Sequence, residues 1–412
     1  MLRSFLLLNS VIAFASTQQV RYDDYALYKV HPQNEEHIKF LNKLEQDNIG
    51  YDFWKTVKRV GDYASIVAPP ELRNEFEHTL AKRNIRSDLM LANIQEAIES
   101  QANSRRKRDD GMHWTAQQTI DQIYGWFHEL ASQHSFVSII QLGTTHEGRN
   151  ITGIRISRGS SGRNIILEGG QIGADWLSPT VLTFVVDQLV RGEDRDARTA
   201  AQDFDWHIFP ILNPDGHQFS QDSVRLWTKN RSPTFGTNLG VDLTRNWNSQ
   251  WGVIGANFNP ASNNYAGHGP FTEVETRSMS RYIESLYPTV VAYLSFRGFG
   301  QRLLIPFAHT TTPMYNYEQM VTIGRRAMGA LAARYGTQYL VGPSLLLHDG
   351  STGNVADFVK YRYNVTVVAT YHLRDFGSYG YLLPPSQVLP SCEETFDSIM
   401  SLLREARHEN II

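Results

Sequence analysis

The sequence is poor in cysteine: Cys392 is the only one in 412 residues, so the chain cannot form an internal disulfide. A chain without disulfides must draw its stability from a large buried core. With 41% hydrophobic and 20% charged residues, this chain is long enough to bury one. We therefore expect one large domain and one smaller domain, with Cys392 as a small buried side chain.

The chain also lacks a strong net charge, since its formal value at pH 7 is −3. Binding to nucleic acid or to an anionic membrane surface requires a broad basic surface, so we expect neither partner. Beyond the N-terminus, no apolar run approaches the roughly 20 residues that span a bilayer. The composition indicates a globular protein.

The first residues have the pattern of a signal peptide. An apolar run follows Arg3, and Ala13-Phe14-Ala15 matches the small-x-small site of signal peptidase. The alternative, a membrane anchor, needs a longer run. We expect removal of residues 1–15, secretion to the extracellular space and no membrane association afterwards. Export would also make three Asn-x-Ser/Thr sequences candidates for glycosylation, at Asn150, Asn230 and Asn364.

Familiar catalytic motifs are missing as well. None of the 14 histidines begins a His-x-x-Glu sequence, and neither a His-Glu-x-x-His helix nor a Gly-x-Ser-x-Gly turn is present. One cysteine cannot build a thiolate metal site. Local motifs therefore indicate no reaction.

The N-terminal part has the pattern of a small α+β domain, because short strand-like runs alternate with amphipathic helical stretches between residues 18 and 91. A polar, helical link follows and ends in Arg105-Arg106-Lys107-Arg108. This tract is either a solvated linker or a cleavage site for a basic-residue protease. With a signal peptide upstream we favour cleavage, which gives a propeptide-like domain at residues 16–108 and a large domain at residues 109–412.

From Thr115 onward the pattern is that of an α/β domain with a mixed sheet. Long helical stretches alternate with dense apolar runs typical of buried strands. Glycine or Asn-Pro turns follow the strands directly, at Gly169-Gly170, Asn213–Gly216 and Gly298–Gly300. Loops at the carboxyl ends of such strands are where α/β proteins bind ligands.

Several motifs occur in an order and spacing that resemble the zinc metallocarboxypeptidases of the A/B type. The resemblance extends from about residue 20 to about residue 405. It implies a mixed eight-stranded sheet flanked by helices, an active-site funnel at the strand ends and an N-terminal activation propeptide. The motifs are Leu167–Gly170, Trp176–Pro179, Ile211–Gly216, Arg225–Trp227, Gly240–Asp242, Arg245–Trp247, Leu373–Asp375 and Tyr379–Pro384.

The same resemblance implies that the catalytic residues are replaced. Family members hold zinc with two histidines and a glutamate, and those positions are Ile172, Arg297 and Asp175 here. The position of the general base is His372, and that of the oxyanion-stabilising arginine is Thr228. Isoleucine has no lone pair and a guanidinium cannot bind a cation. We therefore expect no retained catalytic residue, no bound metal and no cofactor.

Two arginines of the family's substrate site are retained, Arg225 and Arg245. They are candidate carboxylate-binding residues, although hydrogen bonds to neighbouring loops would account for them equally well. The resemblance also places Ala356 at the base of the specificity pocket. We further hypothesise that Asp175 and Arg297 form an ion pair in place of the metal, the alternative being drift without compensation.

These observations favour a secreted, monomeric pseudo-carboxypeptidase whose funnel binds a peptide or protein C-terminus. The alternative is an active zinc-dependent exopeptidase with ligands elsewhere in the chain. Metal content and release of C-terminal residues would distinguish the two hypotheses.

Overall fold

The computed structural model describes residues 19–47, 49–106, 111–159, 162–237, 239–347 and 351–412. The predicted signal peptide, residues 1–15, and the end of the basic tract, Lys107-Arg108, lie outside the described residues. No helix in the described ranges is long and apolar enough to cross a lipid bilayer.

The N-terminal domain is a four-stranded antiparallel sheet with three helices, which confirms the predicted α+β domain. The strand order is β2-β3-β1-β4. The elements are β1 (Ala26–His31), α1 (Glu35–Asp47), β2 (Asp52–Lys55), β3 (Ala64–Ala68), α2 (Pro70–Lys82), β4 (Arg86–Leu91) and α3 (Ile94–Arg106).

Both faces of this small sheet are buried. Tyr28 of β1 packs on one face in a cluster with Leu41 of α1 and Phe76 of α2. Because side chains alternate along a strand, Leu27 points to the opposite face. That face needs a cover that α1 and α2 do not provide.

The large domain contains an eight-stranded mixed sheet in the order β11-β10-β12-β9-β7-β8-β6-β5, as the resemblance implies. Its strands are β5 (Val137–Thr144), β6 (Asn150–Ile156), β7 (Asn164–Glu168), β8 (Asp205–Phe209), β9 (Val290–Arg297), β10 (Arg302–Ile305), β11 (Leu340–Pro343) and β12 (Val367–His372). Its helices are α4 (Ile120–Gln133), α5 (Leu177–Arg191), α6 (Arg195–Asp203), α7 (Pro214–Asp222), α8 (Val274–Leu286), α9 (Tyr317–Tyr335), α10 (Ser344–Leu347), α11 (Val355–Tyr363) and α12 (Val388–His408).

Helices cover both faces of the large sheet, so its central strands are buried on both sides. One face packs on α4, α5, α9 and α12, and the other on α8 and α11. Strands β8, β7, β9 and β12 run parallel, and their carboxyl ends therefore meet at one edge. Arg297 ends β9 directly beside His372, which ends β12.

Candidate functional site

A cleft of about 820 Å³, counting its open mouth, lies between this edge and the N-terminal domain. Five of the eight site residues singled out from the sequence line it, namely Ile172, Thr228, Arg245, Arg297 and His372. Residues of β2 form the opposite wall, among them Asp52, Trp54 and Lys55. Asp175 and Arg225 are buried close by and do not line the cleft.

Asp175 acts as a cap for helix α5. Its Oδ1 accepts hydrogen bonds from the backbone N–H groups of Leu177 and Ser178, both at 3.1 Å. Its Oδ2 accepts from Ser178 Oγ and from the Gly298 N–H, both at 2.7 Å. Burial raises the pKa of Asp175, and these hydrogen bonds oppose part of that rise.

The hypothesised ion pair between Asp175 and Arg297 is wrong. Both carboxylate oxygens are already satisfied by α5 and by Gly298. Among the residues that the structure describes, no ion pair within 4.0 Å joins Asp175 to Arg297. The resemblance implies a glutamate at this position, and the side chain of Asp175 is one methylene shorter and folds back onto its own helix.

Arg297 brings a buried positive charge to the centre of the site, where only 7% of the residue is exposed. This charge acts on Glu168 at the end of β7. Burial raises the pKa of Glu168, while Arg297 and a 2.8 Å hydrogen bond from Gln171 lower it. The positive charge of Arg297 at the cleft floor therefore favours the ionised form of Glu168 at the end of β7.

His372 and Thr228 occupy the positions that the resemblance assigns to the base and to the oxyanion donor. The His372 ring is buried, and its Nδ1 lies 3.1 Å from the Phe299 carbonyl oxygen. The Thr228 carbonyl accepts a hydrogen bond from the Gly173 N–H at 2.9 Å, which fixes the loop. A threonine side chain is neutral and too short to replace an arginine at this point.

Arg225 is held between the two domains. Its Nη1 donates to the Ala174 carbonyl and its Nη2 to the Tyr381 carbonyl, both at 2.8 Å. Nε and Nη2 also donate to Oε1 of Gln101 from α3, at 3.1 and 3.0 Å. The guanidinium stacks 3.6 Å from the ring centre of Trp176. These contacts match the expectation of an arginine held by neighbouring loops.

Arg245 lies in the cleft wall and is paired with Asp242 through its Nη1. It also donates to the Gly255 carbonyl at 2.9 Å and to Ser351 Oγ at 3.3 Å. The paired guanidinium is fixed in orientation, with part of its surface turned to the cleft. Of Arg225 and Arg245, Arg245 is the one that lines the cleft.

A second, smaller cavity of about 340 Å³ adjoins the cleft and shares Arg297 and His372 with it. Ala356 lines this cavity, in agreement with its expected place in a specificity pocket. Thr370 and Asn354 add polar groups to the wall. Arg297 and His372 therefore belong to the walls of both the cleft and the cavity.

The N-terminal wall of the cleft could not be found from the sequence. Oxygen atoms of Asp52 accept hydrogen bonds from Asn263 at 2.8 Å and from Trp54 at 3.0 Å. Lys55 pairs with Asp62 at 2.9 Å, and Asp62 also pairs with Arg302 of the large domain at 3.1 Å. These residues carry no motif, and only the packing of the two domains brings them to the site.

A mixed α/β domain with its site at the strand ends, covered by a small N-terminal α+β domain, is the architecture that the resemblance to carboxypeptidases with an activation domain implies. The family model described as zinc carboxypeptidase matches residues 123–398, and that described as carboxypeptidase activation peptide matches residues 28–101. The chain belongs to the zinc carboxypeptidase family.

Relatives and solved structures agree with this assignment. Zinc carboxypeptidase A 1 of Anopheles gambiae is 34% identical over 400 residues, which cover 96% of this chain and 92% of that protein. Carboxypeptidase A of Helicoverpa armigera has a TM-score of 0.85 at 22% identity, covering 95% of this chain and 99% of that one. Bovine thrombin-activatable fibrinolysis inhibitor, solved with tick carboxypeptidase inhibitor, has a TM-score of 0.67 at 23% identity and covers 72% of this chain and 99% of that one.

The expectation of no cofactor is wrong for the family to which this chain belongs. The matched model is that of the zinc carboxypeptidases, and the mosquito relative is named a zinc enzyme, so zinc is the cofactor that the family implies. When bound, zinc would activate water for hydrolysis.

The side chains at the implied ligand positions do not fit a zinc ion. Ile172 has no donor atom, Arg297 is a cation, and both oxygens of Asp175 accept hydrogen bonds from the protein. Within the described ranges, no group of three or more His, Cys, Asp or Glu side chains is placed to hold a metal ion.

Proposed function

We propose that this protein is a secreted pseudo-carboxypeptidase, which binds a peptide or protein C-terminus in its cleft and does not hydrolyse it. The observation that carries the proposal is the set of side chains at the cleft floor. Ile172, Thr228, Arg297 and His372 converge there, none of them supplies a carboxylate base, and Thr228 at the implied position of the oxyanion donor is neutral.

The expected loss of rate is large because the replaced groups act on one transition state. Loss of a single oxyanion-hole donor typically lowers kcat by about 10²- to 10³-fold. Here the positions of the base and of the oxyanion donor are both changed, to His372 and Thr228.

The retained features suit a ligand with a free carboxylate. Arg245 is fixed by Asp242 beside the cleft, and a guanidinium pairs well with carboxylates. The adjoining cavity at Ala356 offers space for the last side chain of the ligand. A protein ligand is supported by the bovine neighbour, which was solved with a protein inhibitor from tick.

The proposal includes the route to the mature protein. Residues 1–15 are removed on export, residues 16–108 form the propeptide-like domain, and the tract Arg105–Arg108 is cut to give a large domain from residue 109. The match of the activation-peptide model to residues 28–101 supports this division.

The test measures binding and turnover on one set of peptides. Peptides with a free C-terminus are titrated calorimetrically into the uncut protein and into the protein cut at the tract, and the same peptides with an amidated C-terminus serve as ligand controls. We expect free C-termini to bind at least about tenfold more tightly than amidated ones, a difference of about 1.4 kcal/mol. Equal affinity for both sets would refute the carboxylate role of the cleft.

A matched pair of variants assigns the site. Arg245→Ala removes the guanidinium beside the cleft, whereas Arg281→Ala removes an exposed guanidinium from helix α8. We expect the first variant to lose the preference for free C-termini and the second to keep it. If Arg245→Ala kept the preference and Arg281→Ala lost it, the ligand site would lie outside the cleft.

Family membership favours a second function, an active zinc-dependent exopeptidase. Under that hypothesis, peptides would lose their C-terminal residues, and a chelator would stop the release. The same titrations, followed by mass spectrometry of the peptides, separate the two functions.

A further inference from the structure

We infer that an N-linked glycan at Asn364 packs against a surface formed by Tyr287, Tyr315 and Tyr361, which we call the tyrosine surface. The occupant is thus a carbohydrate chain that this protein carries itself. The inference goes beyond the proposed function and takes from it only the export of the chain, which N-glycosylation requires.

The rings of the tyrosine surface are open to water. Tyr361 is 72% exposed, Tyr315 is 68% exposed and Tyr287 is 55% exposed. Aromatic side chains contribute most when their large apolar area is covered, and grouped exposed apolar side chains mark places where another molecule binds. Three open rings around one short segment therefore indicate a binding surface.

Two of these rings flank the segment 364–366, which is the glycosylation sequence. Tyr287 packs on Tyr363, the residue before this segment, with 5.4 Å between the ring centres. Tyr315 lies on the other side, where the Nζ of Lys360 is 4.4 Å from its ring centre. The same Nζ donates to the carbonyl of residue 365 at 2.9 Å. The glycosylation sequence therefore lies between two exposed rings.

Asn364 is held in a fixed conformation at the end of α11, three residues after Tyr361. Its φ of 50° and ψ of 35° are in the left-handed region, which asparagine enters more easily than most residues. Its side chain is exposed, and its N–H donates to the Lys360 carbonyl at 3.0 Å. Asn316 also holds the segment, through a 2.9 Å hydrogen bond to the Thr366 carbonyl. A rigid attachment point lowers the entropic cost of ordering a glycan on the surface.

A groove of about 970 Å³, counting its open mouth, extends from Tyr361. Tyr361 and Tyr363 line it together with the polar side chains of Gln250, Glu284 and Arg362. Sugar rings present C–H groups on their faces and hydroxyl groups at their edges. The negative face of an aromatic ring attracts the C–H groups, and amide, carboxylate and guanidinium groups form hydrogen bonds with hydroxyls. The groove therefore offers both kinds of contact that a carbohydrate chain makes.

The tyrosine surface lies at the opposite end of the sheet from the cleft. The parallel strands β9 and β12 end at Arg297 and His372, which line the cleft. Tyr287 and Asn364 stand shortly before the beginnings of the same two strands. At about 3.3 Å per residue, the eight residues of β9 separate the two ends by about 26 Å. A ligand at the cleft floor is therefore distant from these rings, whereas a glycan on Asn364 starts beside them.

Asn150 provides a comparison within the same chain. It is exposed at the start of β6, and the segment 145–155 contains no Tyr, Trp or Phe. We expect a glycan at Asn150 to extend into water and a glycan at Asn364 to lie on the protein.

The test follows the accessibility of single tyrosine rings in protein secreted from eukaryotic cells. Tetranitromethane nitrates exposed tyrosines, and peptide mass spectrometry measures the extent at each ring. The wild type is compared with Thr366→Ala, which removes the glycosylation sequence and leaves Asn364 in place. We expect Tyr315 and Tyr361 to react several-fold faster in the variant. Tyr335, an exposed ring at the end of α9, should react equally in both proteins.

Two controls separate the glycan from the substitution. Asn150→Gln removes the comparison glycan and should leave the nitration of the tyrosine surface unchanged. Trimming the glycans of the wild type to a single sugar with an endoglycosidase should raise nitration as Thr366→Ala does, without any change in sequence. A folding defect in the variant therefore cannot imitate the result.

Equal nitration of the tyrosine surface with and without the glycan would overturn the inference. So would an unmodified Asn364 in secreted protein that carries a glycan at Asn150, and in that case the export step of the proposed function would stand. Failure of the full chain to be exported would refute that step and the inference together.

Discussion

The Oδ2 atom of Asp175 accepts a hydrogen bond from the backbone N–H of Gly298 at 2.7 Å. This contact joins the first turn of α5 to the residue that follows β9. In the resemblance, the position of Asp175 belongs to a metal ligand, whereas in this protein the carboxylate connects two elements beneath the cleft.

Asp175→Ala is therefore expected to destabilise the fold. The substitution leaves the N–H groups of Gly298 and Ser178 buried without their acceptor, which should lower the free energy of unfolding by about 1–3 kcal/mol. Denaturant unfolding measures the change. Asp222→Ala, at an exposed position, should stay within about 0.5 kcal/mol of the wild type. An Asp175→Ala variant with the same free energy of unfolding as the wild type would contradict the capping role.

A second prediction concerns pH. Burial raises the pKa of Glu275 from 4.5 to about 8, so the folded protein holds this proton more tightly than the unfolded chain. The contribution of Glu275 to stability is then complete below pH 4.5 and is lost as pH rises through about 8. A tenfold difference in proton affinity between the folded and unfolded states corresponds to about 1.4 kcal/mol, so we expect a loss of at least about 1 kcal/mol.

Glu275→Gln tests this expectation. The amide keeps an oxygen that can accept a hydrogen bond from Asn230, and it does not ionise. The variant should lose less stability than the wild type between pH 5 and pH 8 in denaturant unfolding. Glu284→Gln, exposed on the same helix, should follow the wild type. Identical pH profiles for Glu275→Gln and the wild type would show that Glu275 is charged in the folded protein.

A third prediction concerns a variant that carries the residues implied by the resemblance at five positions of the cleft region. The variant Ile172→His, Asp175→Glu, Thr228→Arg, Arg297→His, His372→Glu supplies the ligands, the base and the oxyanion donor that the resemblance implies. We expect it to bind zinc at about one equivalent and to release C-terminal residues at least about 10²-fold above background.

The control for this restoration is Thr228→Arg, His372→Glu, which keeps Ile172 and Arg297 and is expected to release nothing. Zinc is measured by mass spectrometry and release by analysis of the peptides. A folded five-site variant that binds no zinc would show that the family positions have been assigned to the wrong residues.

A fourth prediction separates the three glycosylation sequences. Asn150 and Asn364 are exposed, whereas Asn230 is 1% exposed and its Nδ2 donates to Glu273 and Glu275. A glycan on that nitrogen could not be accommodated in the fold. Protein secreted from a eukaryotic cell should carry glycans at Asn150 and Asn364 alone, as read by peptide mass spectrometry. An occupied Asn230 in folded protein would contradict the packing described for it.

Much of the fold could be predicted because periodicity and turns agree in the long elements. Helix α1 (Glu35–Asp47) and strand β3 (Ala64–Ala68) are among the alternating helical and strand-like stretches that the sequence predicts between residues 18 and 91. Helix α4 begins at Ile120 because Thr119 and Gln122 form a capping box. Helix α6 could not be predicted from apolar periodicity, since Arg195–Asp203 is short and strongly polar.

The site was only partly predictable. The resemblance assigned Arg297 and His372 to an active-site funnel at the strand ends, and the structure places them at the ends of the neighbouring strands β9 and β12. It could not give the partners of Arg225, because Gln101 is 124 residues away and belongs to no motif. Nor could it show that Asp175 caps its own helix, since that depends on the rotamer that a shorter side chain adopts.

Release of C-terminal residues by the cut protein supplied with zinc decides between binding without hydrolysis and exopeptidase activity. Peptides of mixed C-terminal residues are incubated with the protein and followed by mass spectrometry, while calorimetry measures their binding. We expect binding that depends on a free C-terminus and no release above background. Chelator-sensitive release of C-terminal residues would contradict it and would make the protein an active member of its family.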